Sequence, residues 1–423
     1  MQIIKDKKIF EKFVKKLQKR SFSEPKIEDS VRKILNDIKK SGDKALARYT
    51  KLFDKHSLPL KIGKKEIEKK AKDISKDVFN ALIFAEERIR KFHEKQLEKS
   101  WQYQEGDIIL GQIIRPLERV GAYVPGGKAS YPSTVLMNII PAQVAGVKEI
   151  AVCVPTPNGE LNPIVCAALS ILGIKEVYRI GGAQAIAAMA YGTETIKKVD
   201  KIVGPGNIYV ATAKKLVFGE VDIDMIAGPS EILIIADNSA NPAFVAADML
   251  SQAEHDEMAC SILVTNSEQL ATSVKKEITK QLKSLPKVSI AKESLKNFGA
   301  IIIVKSLQEA CNIANTIAPE HLEVMTENPE KLLPLLKNAG AIFLGQFTPE
   351  PIGDYVAGPN HTLPTSGTAR FFSPLGVYDF VKKSSLIKVG ENGFNKLAPY
   401  VEVLATLEGL HAHANTVKVR KTT

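Results

Sequence analysis

Two patterns of hydrophobic and polar positions follow one another along the chain. Residues 1–104 carry apolar positions at helical spacing with lysines between them, which predicts amphipathic helices. From about residue 107, short apolar runs end in Gly or Pro and are followed by stretches of small residues. Because strands then alternate with helices, this second pattern predicts parallel, doubly wound sheets and hence an α/β fold.

Individual elements can be placed along the second pattern. Strands are expected at 149–155, 176–180, 201–203, 230–236, 261–265 and 300–304, and helices at 162–172, 183–190, 208–217 and 242–253. Residues 345–377 are rich in Gly, Pro and Thr, as in an ordered loop, and a helical pattern resumes from about 378. At 423 residues the chain is long for one core, so two or more domains are expected.

The net charge of +11 is concentrated near the N-terminus. Residues 1–100 contain 29 Lys and Arg against 16 Asp and Glu, and the rest of the chain is slightly acidic. The lysines fall on the polar faces of the predicted helices, and aromatic residues are not interleaved with them as a single-strand binder requires. We therefore expect no nucleic-acid partner, and keep nucleic-acid binding only as a rival class.

Cysteine usage and hydropathy bear on the compartment. No run of 18 apolar residues is present, and the N-terminus lacks the apolar segment of a signal peptide. The four cysteines are Cys153, Cys166, Cys260 and Cys311. They are widely scattered, and no pair has metal-ligand spacing. These features predict a cytoplasmic protein with reduced thiols and no membrane partner.

Three glycine-bearing junctions occur within about a hundred residues, at 125–127, 181–182 and 204–207. In doubly wound sheets, ligands bind where strands end and helices begin, and free N–H groups there attract anions. None of the three junctions has the G-x-G-x-x-G or the P-loop spacing. Together they indicate a phosphate-bearing or other anionic ligand.

A carboxylate and an imidazole stand side by side at Glu320 and His321, directly after Pro319. Proline is common at the first helical position, so the pattern predicts a helix that begins here, with both side chains in its first turn. The positive end of the helix dipole would keep the imidazole neutral and able to accept a proton. The alternative interpretation is a half-buried surface histidine beside a glutamate that favours a helix start.

Several polar residues in the second half of the chain could bind a metal. If the helix at 242–253 continues, Gln252 and His255 lie on one face of it. The further candidates are Asp354, His361, Glu408, His411 and His413. Nitrogen and oxygen ligands without a thiolate suit zinc or a neighbouring first-row ion. Spacing leaves open whether these residues converge, and a zinc hydrolase would use the same ligands.

Nine strings of residues are distinctive: VGAYVPGG at 120–127, YPSTVLMN at 131–138, GGAQAIA at 181–187, VGPGN at 203–207, AGPSE at 227–231, LSQAEH at 250–255, APEHLE at 318–323, GDYVAG at 353–358 and NHTLPT at 360–365. In these strings the chain resembles the histidinol dehydrogenase family, and the resemblance runs from about residue 25 to 415. The resemblance implies a four-electron oxidation of L-histidinol to L-histidine through an aldehyde, the last step of histidine biosynthesis. It also implies two NAD⁺ per reaction and one zinc ion per subunit.

The resemblance also implies roles for individual residues. The implied zinc ligands are Gln252, His255, Asp354 and His413. The implied NAD contacts are Tyr123, Gln184 and Asn207. The implied substrate contacts are Ser230, Gln252, His255, His321, Asp354, His361, Glu408 and His413. Glu320 and His321 become the acid–base pair, and His411 stays open as a competitor of His413 for the metal.

The fold implied by the resemblance is two Rossmann-like, doubly wound domains of the aldehyde-dehydrogenase kind, one inserted in the other. The expected limits are 1–20 for an N-terminal helical segment, 21–122 with 231–377 for the first domain, 123–230 for the inserted domain and 378–423 for a C-terminal dimerisation segment. The resemblance implies a homodimer in which the C-terminal segment completes the partner's site. Glu408 and His413 could serve one site only if the chain bends near Gly409.

Overall fold

The computed structural model describes residues 1–18, 20, 25–126 and 131–421. Within it the chain divides into two compact units. The first comprises Met1–Gln96 and Glu118–Phe380, and the second comprises Leu97–Leu117 and the described part of Val381–Thr423.

The strands of the described chain are short and mostly parallel. They are β1 (Gln2–Ile4), β2 (Lys61–Ile62), β3 (Trp101–Glu105), β4 (Ile108–Pro116), β5 (Arg119–Tyr123), β6 (Glu149–Cys153), β7 (Glu176–Tyr178), β8 (Lys201–Val203), β9 (Asp222–Ile223), β10 (Glu231–Ala236), β11 (Cys260–Thr265), β12 (Ala300–Ile303), β13 (His321–Met325), β14 (Ala341–Leu344) and β15 (Val381–Val389).

Helices connect most of these strands. They are α1 (Lys7–Gln18), α2 (Pro25–Phe53, broken at Gly42), α3 (Lys64–Ala71), α4 (Lys76–Glu94), α5 (Pro132–Ala145), α6 (Pro163–Ile171), α7 (Gly182–Tyr191), α8 (Ile208–Val217), α9 (Pro242–Ala253), α10 (Glu268–Gln281), α11 (Val288–Phe298), α12 (Leu307–Ile317), α13 (Glu350–Ile352), α14 (Glu391–Leu407) and α15 (His411–Lys418). A π-helical turn, Gly353–Ala357, follows α13 directly.

Two six-stranded sheets organise the first unit. Sheet 1 has the order β2-β7-β6-β5-β8-β9, in which only the edge strand β2 is antiparallel. Sheet 2 has the order β1-β12-β11-β10-β13-β14 and is parallel throughout. The predicted α/β class with two Rossmann-like parallel sheets is therefore confirmed. The domain limits stay a prediction, and the expected limit at 122/123 falls at the end of β5.

Sheet 2 is covered on both faces. Leu233 and Ile235 of β10 face a core built with α1 and α12, whereas Ile232 and Ile234 face a second core built with α9, α10 and α11. The alternation of side chains along a strand makes this possible. On β13, Leu322 and Val324 lie in the first core and Met325 in the second, so the remaining odd positions point towards α9.

Several predicted elements are found where the sequence placed them. The helices α8 and α9 have the predicted limits, and Asn207 and Asn241 accept hydrogen bonds from the backbone N–H groups of their first turns.

No helix in the described part of the chain is long and apolar enough to cross a membrane.

The helix predicted after Pro319 is wrong. The preceding helix α12 ends at Ile317, Ala318 adopts a left-handed conformation with φ 52°, and His321 opens the strand β13. This strand pairs with β10 on one side and β14 on the other. Tertiary pairing therefore outweighs the local preference of proline for a helix start.

Strands also occur where only helices were expected. The N-terminal hundred residues contribute β1 and β2 to the edges of the two large sheets. In the second unit β15 pairs with β4 over nine positions, from Val381 with Pro116 to Val389 with Ile108, and β3 completes an antiparallel sheet. The helical pattern expected from 378 therefore begins only at α14.

Candidate functional site

Glu320 and His321 are held by the backbone of a single residue, Glu231. The Glu231 N–H donates to Oε2 of Glu320 at 2.9 Å, and Nδ1 of His321 donates to the Glu231 carbonyl oxygen at 2.9 Å. Both side chains are buried. Nε2 of His321 is buried too and has no hydrogen-bond partner among the described residues. This geometry fixes the imidazole and leaves Nε2 available to a reacting group.

Two further carboxylates approach Nε2 of His321. Oδ1 of Asp354 lies 3.5 Å away and Oε1 of Glu350 lies 3.8 Å away. The three ligand atoms lie within 4.8 Å of one another, as a shared cation would require. Glu350 had not been singled out in the sequence, because a glutamate between two prolines carries no local signal of such a role.

The carboxylates decide the charge of His321. Burial alone lowers the pKa of the imidazole, but the charges of Glu320, Asp354 and Glu350 outweigh it and raise the pKa to about 10. The helix dipole that was expected to keep His321 neutral is absent, since His321 opens the strand β13 and carboxylates surround the ring. A cation bound among these carboxylates would offset their charge and lower the pKa again.

Burial dominates the titration of the glutamates in the site. It raises the pKa of Glu320 to about 8 and that of Glu350 to about 9. Burial also opposes ionisation of Asp354, but His321 outweighs it and holds the pKa of Asp354 below its ordinary value. Asp354 is therefore the anionic member of the group.

The residues expected to bind zinc occupy different environments. Gln252 is buried in the last turn of α9, and its Oε1 has no partner among the described residues. The helix ends at Ala253, so His255 lies in an exposed turn. The backbone N–H of His255 donates to the Gln252 carbonyl oxygen at 3.3 Å. His413 is exposed on α15, in the second unit. The close group of His321, Glu350 and Asp354 shares only Asp354 with the expected ligand set.

The donor atoms in the first unit nevertheless fit a zinc ion. Oε1 of Gln252 is buried and unpartnered within the described chain, Asp354 supplies a charged oxygen, and His255 supplies an exposed imidazole. All of these donors are nitrogen or oxygen, which zinc accepts.

Thiol chemistry is disfavoured throughout. All four cysteines are buried and free. Burial raises the pKa of each thiol, that of Cys166 to about 11 and that of Cys260 to about 12. A thiolate nucleophile is not available at neutral pH.

The expected substrate residues fall into two groups. In the first unit, Ser230 is half-buried directly before β10. His361 is oriented by the Asp354 carbonyl oxygen, 3.1 Å from its Nδ1, and by Oγ1 of Thr134, 3.3 Å from its Nε2. In the second unit, Glu408 caps the C-terminus of α14 and is exposed.

The chain bends between Glu408 and His413 as anticipated. Gly409 has φ 72°, a left-handed conformation that suits glycine, and α15 begins at His411. His411 and His413 are both exposed, so the choice between them stays open.

The residues expected to contact NAD stand at one edge of sheet 1. Tyr123 ends β5 and its hydroxyl accepts a hydrogen bond from the Gly182 N–H at 3.1 Å, Gln184 is buried in the first turn of α7, and Asn207 caps α8. Because β5, β7 and β8 are parallel, the three glycine junctions share this carboxyl edge. Gly127, at the end of the first junction, lies outside the described residues.

A close backbone approach explains one of these glycines. Gly204 has φ 111°, and a Cβ there would lie 2.1 Å from the Tyr123 carbonyl oxygen. Only glycine lets the chain pass at this distance.

Fold and site together define a Rossmann-like α/β enzyme with a buried carboxylate and imidazole, Glu320 and His321, beside further carboxylates that could bind a cation. The chain matches the histidinol dehydrogenase family over residues 17–421. It is therefore a member of the histidinol dehydrogenase family, an oxidoreductase rather than the zinc hydrolase considered as an alternative.

Named relatives and a solved structure agree with this membership. The chain is 59% identical over 401 residues to histidinol dehydrogenase of Aquifex aeolicus, covering 94% of this chain and 93% of that one. It is 54% identical over 399 residues to histidinol dehydrogenase of Geobacter sulfurreducens, covering 93% of each. The crystal structure of histidinol dehydrogenase from Elizabethkingia anophelis superposes with a TM-score of 0.95 at 40% identity, over 100% of this chain and 98% of that one.

Proposed function

We propose that this protein oxidises L-histidinol to L-histidine through L-histidinal, with two NAD⁺ as oxidants and a zinc ion in the site. The observation that carries the proposal is the joint anchoring of Glu320 and His321 on Glu231, with Nε2 of His321 left unpartnered. When bound, zinc would orient the imidazole and amine of the substrate, and NAD⁺ would accept the hydrides.

The acid–base steps fall to two side chains of this protein. Nε2 of His321 accepts the hydroxyl proton as the alcohol carbon loses its hydride. The Glu320 carboxylate then accepts a proton from a water molecule, whose oxygen adds to the aldehyde carbon, while the protonated His321 returns its proton to the carbonyl oxygen and becomes neutral again. His321 accepts a second proton as the hydrated aldehyde loses its hydride and becomes the carboxylic acid. A pKa of about 8 suits Glu320 to transfer protons near neutral pH.

A direct test follows the absorbance of NADH with purified protein. Histidinol should yield two NADH per molecule, and a chelator should abolish the reaction until zinc is restored. Hydrolysis without NADH formation would contradict the proposal. Binding to single-stranded nucleic acid that weakens steeply with salt would support the other rival class.

We assign the zinc ligands to Gln252, His255, Asp354 and His413. The unpartnered Oε1 of Gln252 and the anionic Asp354 support the first-unit part of this set. Glu350 is not among the residues that the resemblance implies, and we propose that it remains outside the ligand set. Metal analysis of single variants of each residue tests the assignment.

A homodimer with sites completed in trans is part of the proposal. Large apolar side chains are exposed on α14 and fit a partner surface; they are Leu397, Tyr400, Val401, Val403, Leu404 and Leu407. Co-expression of His321→Asn with His413→Ala provides the test. If His413 acts in the partner's site, a mixed dimer contains one intact site and regains activity. If each chain uses its own His413, the mixture stays inactive.

The proposed location is the cytoplasm, where NAD⁺-dependent biosynthesis takes place. Fractionation of cells that express the tagged protein tests this.

A further inference from the structure

The turn that carries Asp354 is held at both of its ends. At the start, the Glu350 N–H donates to Oε1 of Glu323 at 2.8 Å. At the end, the Arg88 guanidinium donates to two consecutive carbonyl oxygens, from Nε to Val356 at 2.7 Å and from Nη2 to Ala357 at 3.0 Å.

Glu323 connects this turn with the other parts of the site. It lies two residues after His321 on β13, so both side chains point to the face of sheet 2 that α9 covers. There Glu323 is buried near the carboxyl group of Asp248. Asp248 is four residues before Gln252 on α9, and the two share a helix face. The carboxyl group of Glu323 therefore connects the strand of His321 with the turn of Asp354 and lies near the helix that carries Gln252.

Arg88 acts at the opposite end of the turn. The last carbonyl groups of a helical segment lack partners within it, and a charged donor forms strong hydrogen bonds with them. Gly358, with φ 122°, follows directly, and a Cβ there would lie 2.9 Å from the Arg88 carbonyl oxygen. The backbone therefore lies close to α4 at this point, and the hydrogen bonds of Arg88 hold it there.

The position of the turn affects two functional side chains at once. It carries the Asp354 carboxylate, and the Asp354 carbonyl oxygen orients His361. A π-helical turn is an irregular element that often occurs at functional sites and needs support from its surroundings.

We infer that Arg88 and Glu323 are positioning residues that clamp the segment 350–357 and so set the distance between the Asp354 carboxylate and Nε2 of His321. The consequence for zinc affinity rests on the proposed metal site, whereas the clamp on the backbone does not. Neither residue belongs to the site that the family strings imply.

Arg88 allows a clean test because its side chain is exposed and its loss leaves the core intact. The variants are Arg88→Gln, Arg88→Lys as the conservative replacement, and Lys91→Gln as a control that removes an exposed cation from the same helix. Zinc affinity is measured by competition with a chromophoric chelator, and hydrogen exchange of the amides at 353–361 is measured on the metal-free protein.

We expect Arg88→Gln to weaken zinc binding about tenfold or more, as loss of outer-shell support does, and to speed exchange at 353–361 about tenfold. Arg88→Lys should retain part of the wild-type zinc affinity and part of the wild-type protection from exchange. Lys91→Gln should change neither the zinc affinity nor the exchange rate. The melting temperature should move little in all three, which separates positioning from general stability. Wild-type zinc affinity and wild-type exchange in Arg88→Gln would overturn the inference.

Glu323 is tested by a matched pair of variants. Glu323→Gln keeps a carbonyl oxygen that can accept from the Glu350 N–H, whereas Glu323→Met removes it at similar volume. Faster exchange at 353–361 in Glu323→Met alone supports the clamp, and equal exchange in both variants contradicts it. If Glu323→Met does not fold, the Arg88 series decides. If the wild type binds no zinc, the metal site fails, while the exchange data still test the clamp.

Discussion

Replacing Arg20 by methionine would leave the buried carboxylate of Glu231, the residue whose backbone holds Glu320 and His321, without its cation. The Arg20 guanidinium donates to Oε1 of Glu231 and, at 2.8 Å, to the Met258 carbonyl oxygen. The side chains of Arg20 and Glu231 are only 1% and 6% exposed. The backbone of Glu231 holds both Glu320 and His321, so this ion pair supports the site as well as the fold.

The structure sets the size of the effect. Burial raises the pKa of Glu231, and Arg20 is the main influence that opposes it. Removing one partner of a fully buried pair costs about 3–5 kcal/mol, which is a large part of the roughly 5–15 kcal/mol that stabilises a typical protein. Replacing both partners, in Arg20→Met with Glu231→Gln, should recover most of that loss because no unpaired charge remains.

The assay is urea unfolding of the wild type, the two single variants and the double variant, analysed as a double-mutant cycle. Without Arg20, the pKa of Glu231 in the folded state rises further above its unfolded value. The loss in Arg20→Met should therefore grow as the pH rises above the folded-state pKa of Glu231 in the wild type, which burial places above its ordinary value. Additive effects of the two substitutions, or a loss below about 1 kcal/mol in Arg20→Met at pH 7, would refute the reasoning.

Three further predictions concern metal, cofactor and pH. Asp354→Asn should lose zinc on dialysis, whereas Glu350→Gln should keep it, as metal analysis would report; the reverse result would make Glu350 the ligand. Tyr123→Phe should raise KM for NAD⁺ about three- to tenfold through loss of the hydrogen bond from the Gly182 N–H, with KM for histidinol unchanged. A larger increase in KM for histidinol than in KM for NAD⁺ would contradict this prediction. Burial raises the pKa of Asp379 to about 6. The ionised carboxylate therefore lowers the free energy of unfolding by about 2–3 kcal/mol above that pH. Asp379→Asn should therefore raise the melting temperature at pH 8 but not at pH 4, and an equal change at both would exclude this cause.

Local patterns were sufficient for the elements that carry their own end signals. The helix α8 begins after Gly204-Pro205-Gly206-Asn207 and α9 after Asn241-Pro242, and both were predicted at their observed limits. The three glycine junctions were also recognised from the sequence, and the structure shows that they share one edge of sheet 1 because the parallel strands before them end there.

Elements that depend on distant partners could not be predicted in this way. The strand β15, which contains Lys382, Lys383 and Lys388, exists because it pairs with β4 about 270 residues earlier. The strand β13 carries His321 and Glu323 on its buried face, where function replaces the apolar residues that would identify a central strand. Pro319, shortly before this strand, fits a helix start equally well, so pairing with β10 and β14 is what makes this segment a strand.

The site shows the same division. Glu320, His321 and Asp354 were proposed from the sequence because their strings resemble one family, and the structure places them close together. Glu350 and Glu231 could not be predicted from the sequence. Glu350 approaches His321 from an element that lies about 30 residues later in the chain, and Glu231 contacts His321 through its backbone.

The division of work between Glu320 and His321 is tested most directly by supplying histidinol and histidinal separately to Glu320→Gln and His321→Asn. Glu327→Gln, the same change at an exposed glutamate, serves as the control. We predict that Glu320→Gln still oxidises histidinol to the aldehyde but oxidises histidinal about 10²–10⁴-fold more slowly, and that His321→Asn loses both reactions. Oxidation of histidinal by Glu320→Gln at the wild-type rate, or of histidinol by His321→Asn, would contradict the account.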